Sequence, residues 1–528
     1  MNLLNSFSNF SRNFFDVKNL ITEDLLRQLG QDIIGTDDLT GVWEDVYSGW
    51  SISMNDAGDR IAIGAPYYGF QGRVKVYSYD EGSWTQLGDW IGSELSVLED
   101  NAMGWKVSMN SLGDRIVLSN PAYPSFENRA GEVRVYYYAN DGFWYQLGSR
   151  IIGENIADYH GYSIESVSIN DAGDRLAIGY NKNNFVRMYF WDDNESDWQQ
   201  MGSTISGEGE DDNFGYLVSM NGAGDIVAMS ATYNSNNAGH VKVYSWNGSN
   251  WNQLGANING DAINEKFGES VSINNAGNRI AISSIYNDES GVDAGKVKIY
   301  SWNGSIWTQL GTSLFGEKSG DKFGWSISMN SAGDRIAIGA PINDSSNSGT
   351  RGYIKIYSWD GLDWSLLETA INGPVEGGFF GFSVSMNAIG DRIAVSAPNY
   401  DEGDNTNAGL VKVYSLNDND FNASSLLRKF YFFNFDNDSD YYNPNNWFEN
   451  SSFSISRTAI PDANSKVIMS GEIAFVINID NALWITPYSI NTLAVTDPVG
   501  IYIYSETNKH FSGTIIGNST FDGVIVDY

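Results

Sequence analysis

The chain has 528 residues, of which 42% are hydrophobic, 14% aromatic and 18% charged, a composition typical of a globular β protein. Its 65 acidic residues outnumber 31 basic ones, and the net charge of −34 argues against nucleic acid or anionic membranes as partners, because both need a basic surface. The absence of cysteine excludes disulfides and thiolate metal sites.

Residues 1–20 are predicted to form an N-terminal arm. Leu3, Phe7, Phe10 and Phe14 recur at roughly helical spacing, which favours an arm docked on the body over an anchor that tethers the protein to a particle. The segment lacks a secretory signal, and no apolar run is long enough for a transmembrane helix. We therefore expect a virion or extracellular surface location without membrane insertion, reached by unusual export or by assembly into a particle.

Residues 21–428 are organised by one internal repeat. Its clearest marker is the glycine of the turn N-x-x-G-[DN], which recurs every 51 to 60 residues, a period that suits a four-stranded unit. The seven copies are at Gly58, Gly113, Gly173, Gly224, Gly277, Gly333 and Gly390. The motif V-K-V-Y, first seen at Val74, and the motif W-x-Q-L-G, first seen at Trp84, keep the same phase.

Each repeat is predicted to contain four β-strands. Apolar and polar residues alternate from Phe323 to Asn330, and the N-S-A-G-D turn that follows suits a hairpin because Gly333 can adopt a positive φ. We name the strands A (FGxSVSMN), B (RIAIGAP), C (VKVYSW) and D (WTQLG). Seven such meanders predict an all-β protein with a seven-bladed β-propeller.

The seventh repeat lacks strand D, and a matching segment occurs at the other end of the repeats. The sequence LLRQLG, Leu25–Gly30, resembles strand D although no strand A, B or C precedes it. We predict that this N-terminal strand completes the last blade beside Val411–Ser415 and closes the ring, which removes free sheet edges.

Residues 429–528 are predicted to form a small C-terminal β-rich domain, either a short β-solenoid or an edge-exposed sandwich. Near its start, Asp436, Asp438 and Asp440 match positions one, three and five of a calcium loop. Tyr441 and Trp447 replace the glycine and glutamate that such a loop needs at positions six and twelve. This spacing makes calcium a weak candidate there, and an Asx-rich linker is the alternative.

The elements F-G and G-A-P, seen at Phe323, Gly324 and 339–341, resemble the FG-GAP repeats of integrin-type propellers over about residues 21–425. This variant is similar to repeat proteins of marine bacteria and of large DNA viruses of protists, and residues 445–471 resemble a module that accompanies them in surface and virion proteins. The resemblance implies calcium loops between strands A and B. Here that loop, Asn55–Asp59, is too short to wrap a cation, so no calcium is predicted at these hairpins.

Strand order separates two ends of the propeller. The B–C and D–A connections emerge at one end, which we call the loop face, and the A–B and C–D hairpins emerge at the other, the hairpin face. The loop face is predicted to carry the acids Glu208, Glu210, Asp211, Asp212, Asp261, Glu265, Asp288, Glu289, Asp293, Asp401, Glu402 and Asp404, with the aromatics Tyr67, Tyr68, Phe70, Tyr123, Tyr159, Tyr286 and Tyr400. Such a surface could hold a cation-bridged glycan or a basic protein patch, or be a solvated acidic face.

Catalytic signatures are scarce. His160, His240 and His510 are far apart and at non-equivalent repeat positions, which argues against a histidine metal cage or a Ser/His/Asp triad. The repeated Asp-Arg pair of the hairpins, as at Asp59 and Arg60, favours turn capping and contacts between blades over catalysis.

The sequence therefore favours a non-enzymatic surface or virion structural protein for adhesion or host recognition. Its predicted partners are a protein or glycan on another surface, or neighbouring virion proteins, bound through the loop face. The irregular loop 342–352 is a preferred place for function. Two alternatives remain open: a polysaccharide-active hydrolase on a propeller scaffold, and an intracellular protein-interaction scaffold.

Overall fold

The computed structural model describes residues 26–35, 46–68, 72–92, 102–121, 130–153, 164, 166–209, 211–342, 351–367, 369–403 and 405–416, and the backbones of eight short strands between 432 and 515. The chain divides into two compact units, Met1–Leu416 and Asn417–Tyr528. The predicted arm 1–20 and the calcium candidate Asp436, Asp438 and Asp440 lie outside the described residues. No helix in the described ranges is long and apolar enough to cross a membrane.

The first unit is a seven-bladed β-propeller of antiparallel sheets, which confirms the predicted fold class. Strand A is innermost in each blade: Ser51–Met54, Val107–Met109, Ser166–Ile169, Phe214–Met220, Val271–Ile273, Ser326–Met329 and Val384–Met386. Strand B follows each A–B hairpin: Arg60–Ala65, Arg115–Asn120, Arg175–Tyr180, Ile226–Ala231, Arg279–Ser284, Arg335–Ala340 and Arg392–Ala397.

The outer half of each blade is formed by strands C and D. Strand C comprises Arg73–Asp80, Glu132–Tyr138, Phe185–Asp192, His240–Trp246, Lys296–Trp302, Tyr353–Trp359 and Leu410–Leu416. Strand D of blades one to six comprises Ser83–Gln86, Trp144–Gln146, Asp197–Gln200, Trp251–Gln253, Trp307–Gln309 and Trp364–Leu366. The B–C connection of blade 4 contains a tight left-handed turn at Asn234–Asn237, where Ser235, Asn236 and Asn237 have φ values of 53°, 59° and 62°.

Strand D is broken, and a second short piece pairs with the start of strand C. In blades two to six these pieces are Ile151–Ile152, Ile205–Ser206, Ile258–Asn259, Leu314–Phe315 and Ile371–Asn372. In blade 1 a single bridge between Val74 and Ile91 takes this place.

The N-terminal segment closes the propeller, as predicted. Leu26–Gln28 pairs antiparallel with strand C of blade 7, and Ile33–Ile34 pairs with the start of the same strand. The ammonium of Lys412 in that strand contacts the Asp32 carboxylate at 2.6 Å. The two ends of the repeat array therefore share one sheet, and the last blade has the same strand composition as blades two to six.

Serine hydroxyls join the inner strands of neighbouring blades. The N–H of Val107 in blade 2 donates to Ser51 Oγ at 3.1 Å, and the N–H of Ile52 in blade 1 donates to Ser383 Oγ of blade 7 at 3.2 Å. Strand A has no fifth strand on its inner side, so these hydroxyls satisfy backbone donors that would otherwise lack a partner. The alternating serines of S-x-S-M thus hold the blades together.

The A–B hairpins use their repeated Asn, Asp and Arg structurally, which confirms the sequence interpretation. Asn55 Oδ1 accepts the N–H groups of Asp59 and Arg60, and Asn55 Nδ2 donates to Asp59 Oδ1 at 2.8 Å. The guanidinium of Arg60 donates to the carbonyl of Gly113 in the next blade at 3.1 Å. The motif is therefore a turn cap and a contact between blades.

The tryptophan of W-x-Q-L-G links neighbouring blades at the periphery. Trp144 Nε1 donates to Leu87 O and Trp307 Nε1 donates to Leu254 O, each at 2.9 Å. Apolar residues of strands B and C fill the space between blades, as where Val297 of blade 5 packs with Ile336 of blade 6 in one buried cluster. Burial of these alternate residues is the main driving force for the fold.

In the second unit the structure describes the backbones of eight short strands. Phe432–Phe433 pairs with Trp447–Phe448. Val467–Met469 pairs antiparallel with Thr492–Val495, which pairs in parallel with Thr514–Ile515. Val476–Ile479 pairs antiparallel with Ala482–Ile485, which pairs in parallel with Ile501–Ile503.

Candidate functional site at the propeller axis

A repeated turn at the end of the D–A connection directs one side chain toward the propeller axis on the loop face. In blade 6 it consists of Lys322 with a left-handed backbone, buried Phe323, Gly324 and then Trp325, whose N–H donates to Lys322 O at 3.0 Å. A Cβ on Gly324, which has a φ of +93°, would lie 2.6 Å from Ser283 Cβ. Glycine therefore lets the turn pack directly on strand B of blade 5, and Phe323 anchors it.

Six blades place a described residue at the position after this glycine, and we call the set the axial ring. Its members are Trp50, Trp105, Tyr216, Glu269, Trp325 and Phe382, and all six are half-buried. The equivalent residue of blade 3, Tyr162, lies outside the described residues.

Four members from four adjacent blades form a continuous aromatic arc: Trp325, Phe382, Trp50 and Trp105. Ring centroids are 5.7 Å apart for Trp325 and Phe382, 4.9 Å for Phe382 and Trp50, and 5.1 Å for Trp50 and Trp105. Tyr67, 44% exposed, contacts Trp50 edge-on at 5.2 Å. The arc therefore offers a broad apolar surface at the centre of the loop face.

The opposite side of the axial ring is polar. The Tyr216 hydroxyl donates to Glu269 Oε1 at 2.8 Å and so links blades 4 and 5. The ammonium groups of Lys266 and Lys322 lie over the ring of Tyr286, at 4.9 Å and 3.6 Å from its centroid. Cation–π contacts of this kind hold the lysines beside Glu269.

The electrostatics of this polar side are set by burial and by lysines. Burial raises the pKa of the Glu269 carboxyl, and this effect outweighs the hydrogen bond from Tyr216 and the positive charges of Lys266, Lys322 and Lys106. Lys106 belongs to blade 2, so its charge reaches Glu269 across the axis. The axial ring thus combines a stacking surface with donors, an acceptor and positive charge.

The hairpin face closes the other end of the axis with backbone hydrogen bonds. Seven bonds of 3.0–3.2 Å run from one A–B hairpin to the next and return to the first, through Asp56, Ser111, Asp171, Gly222, Asn275, Ser331 and Ala388. Within this belt, Asn275 Nδ2 donates to Asp171 Oδ2 at 2.7 Å. Burial, followed by the charge of Asp171, raises the pKa of the Asp56 carboxyl.

Several predicted loop-face acids pair with lysines of strand C. Glu208 contacts Lys242 at 2.7 Å, and Asp261 contacts Lys298 at 2.5 Å. In both pairs the acid lies in the connection from the preceding blade, so the contact braces two blades. Other predicted acids accept backbone N–H groups, as Asp212, Asp288 and Asp401 do.

A buried lysine occupies the centre of the carboxylate cluster formed by Asp261, Glu265 and Glu289. Lys296, whose side chain is 1% exposed, contacts these three groups at 2.7, 3.5 and 2.6 Å. The oxygens lie close enough together to suit a metal ion, but the ammonium already supplies the positive charge. The cluster is therefore explained as an ion-pair network.

The remaining predicted site residues are dispersed. Tyr68 is buried against Arg73, and the Tyr400 hydroxyl donates to Glu402 at 3.0 Å. His240 is buried at the start of strand C in blade 4, and burial lowers its pKa. Outside the described residues lie Phe70, Tyr123, Tyr159, His160, Glu210, Asp404, His510 and loop positions 343–350.

Sequence reasoning missed the axial ring. The residue after this glycine varies among Trp, Tyr, Phe and Glu, while the glycine itself occurs in all seven repeats and Phe precedes it in four. That contrast was available in the aligned repeats, since a variable residue beside a constant glycine suggests a role beyond packing.

The comparisons with known proteins give the following results. No family model matches this sequence, and no curated protein matches it. A putative 6-phosphogluconolactonase from Bacteroides uniformis is 12% identical, with a TM-score of 0.45, over 62% of this chain and 86% of that one. Hydrazine synthase of Kuenenia stuttgartiensis is 12% identical, with a TM-score of 0.46, over 68% and 96%. At such low similarity neither name informs the function of this chain.

Proposed function

We propose that this protein is a non-enzymatic recognition propeller that binds a carbohydrate through the axial ring. The aromatic arc carries the proposal, because four rings from separate blades meet at one end of the axis and Tyr67 extends them to solvent. Aromatic faces pack well against the apolar face of a sugar ring, and a few placed polar groups then fix its orientation. Tyr216, Glu269 and the lysines beside them supply such groups.

We also propose that the protein acts on the surface of a particle or a cell. The resemblance to FG-GAP repeats of surface and virion proteins supports adhesion or host recognition as the purpose of carbohydrate binding. The protein should then be detected by mass spectrometry on purified particles or on external cell surfaces. Detection only in soluble cytosol, together with stable protein partners, would support the intracellular scaffold instead.

The binding site is tested by comparing matched aromatic substitutions on a glycan array. Phe382→Ala removes one ring of the aromatic arc, whereas Phe143→Ala removes a 47% exposed ring on the hairpin face. We expect Phe382→Ala to weaken glycan binding at least about tenfold and Phe143→Ala to leave it unchanged. Equal effects of the two substitutions would contradict the site.

The same samples distinguish binding from hydrolysis. Incubation with each bound glycan, followed by analysis of released sugars, should show no turnover. Sugar release that is abolished by Glu269→Gln would replace our proposal with the polysaccharide-hydrolase alternative.

A further inference from the structure

Lys266 is an unusual lysine within this acidic protein. Its ammonium lies 4.9 Å from the ring centroids of both Tyr233 and Tyr286, and no carboxylate in the described ranges lies within 4.0 Å of it. By contrast, within the part of the propeller that the structure describes, six lysines have a described carboxylate partner: Lys242, Lys296, Lys298, Lys322, Lys355 and Lys412. Lys266 is nevertheless half-buried and held in place by two aromatic rings.

The backbone fixes this lysine beside the axial ring. Lys266 is the first residue of the blade 5 turn and has a φ of 51°. The N–H of Glu269 donates to Lys266 O at 3.2 Å, so the ammonium-bearing residue and the ring member belong to the same turn. Exposure of Tyr233, at 43%, gives this position a side open to solvent.

A continuous set of contacts joins Lys266 to the aromatic arc. Tyr286 lies under both Lys266 and Lys322, and Lys322 begins the turn that presents Trp325. Trp325 in turn contacts Phe382 at 5.7 Å. The positive charge of blade 5 and the stacking surface that begins in blade 6 therefore lie on neighbouring blades of the same ring.

We propose that Lys266 binds the anionic group of an acidic sugar, a carboxylate or a sulfate, while the sugar ring packs on the aromatic arc. This inference rests on the proposed carbohydrate binding and specifies its ligand class. Among the described residues no carboxylate lies within 4.0 Å of this ammonium, and burial favours the neutral form of nearby Glu269, so the lysine attracts a small anion locally although the net charge of −34 disfavours a polyanion. Half-buried Tyr286 covers one side of the ammonium and lowers the local dielectric there, which strengthens a charge-assisted hydrogen bond, while the exposed side at Tyr233 admits the ligand.

The test compares full-length variants against matched oligosaccharides of equal length that are neutral, carboxylated, methyl-esterified or sulfated. Lys266→Gln removes the charge, Lys266→Arg keeps it, and Lys182→Gln makes the same charge change at an exposed residue in the B–C connection of blade 3. We expect the wild type to bind a carboxylated or sulfated oligosaccharide about tenfold more tightly than the neutral one. Comparison of the carboxylated with the sulfated oligosaccharide shows which anion is bound.

Lys266→Gln should remove that preference, Lys266→Arg should retain it, and Lys182→Gln should have no effect. Higher salt should weaken the binding of the carboxylated and sulfated oligosaccharides and leave the binding of the neutral one unchanged. An acidic preference that persists in Lys266→Gln, or equal binding of acidic and neutral glycans by the wild type, would overturn this inference and leave carbohydrate binding intact. Failure of the wild type to bind any glycan would overturn both proposals.

Discussion

The rings of Trp50 and Phe382 lie 4.9 Å apart although they belong to the first and last blades. Their contact depends on closure of the propeller, which brings strand A of blade 1 beside strand A of blade 7. The same interface contains the bond from the Ile52 N–H to Ser383 Oγ. Ring closure therefore builds the candidate site as well as the fold.

A double-mutant cycle on Trp50→Leu and Phe382→Leu should show coupling. We expect a coupling free energy of unfolding of roughly 0.5–1.5 kcal/mol, the typical value of an aromatic pair in contact. Chemical denaturation of the two single variants and the double variant measures it. Strictly additive effects would mean that the two rings do not stabilise closure.

The serine contacts between inner strands should contribute to stability. Ser51→Ala leaves the N–H of Val107 buried without an acceptor, so we expect the free energy of unfolding to fall by about 1–3 kcal/mol. Ser249→Ala, in an exposed C–D turn, is the matched control and should change stability by less than about 0.5 kcal/mol. Denaturant titration measures the free energy of unfolding of both variants. If Ser51→Ala and Ser249→Ala have the same value, the hydrogen bond to Ser51 does not stabilise the fold.

Removal of the closing strand should open blade 7. Deletion of residues 1–35 removes every backbone bond of strand D in that blade and exposes the edge of Leu410–Leu416. We expect a loss of stability on the order of 3–5 kcal/mol and self-association through the new edge. Light scattering and thermal unfolding report these effects. Deletion of residues 1–20 is the control. This variant should have the same thermal stability and the same degree of self-association as the full chain.

The ion-pair network around Lys296 should make the free energy of unfolding fall as the pH becomes acidic. Burial alone would raise the pKa of Asp261, but hydrogen bonds from Lys296 and Lys298 lower it below its usual 3.8. Because the folded pKa is depressed, the stabilisation is present above pH 3.8 and is lost as pH falls through the folded value. Asp261→Asn should therefore have a shallower fall in unfolding free energy below about pH 4 than the wild type. If the unfolding free energies of the wild type and Asp261→Asn fall in parallel with pH, the ion pairs of Asp261 do not contribute to stability.

Much of the scaffold was predictable because its signals are local. The glycine at Gly333 needs a positive φ, the alternation around Ile327 requires a strand, and LLRQLG supplies the strand that blade 7 lacks. Strand parity also separated the loop face from the hairpin face. Hairpin chemistry and periodicity act over a few residues, so the printed sequence contains them in full.

The candidate site depended on contacts that no local pattern contains. Trp50, Trp105, Trp325 and Phe382 meet only after the ring has closed, because radial symmetry brings equivalent positions of distant repeats to one axis. Likewise, the sequence shows the acid Asp261 and the lysine Lys298 without showing that they neutralise each other. The sequence by itself determined the blades and their closure, whereas only the tertiary structure decided which side chains surround the axis and which of the described acids and lysines pair with each other.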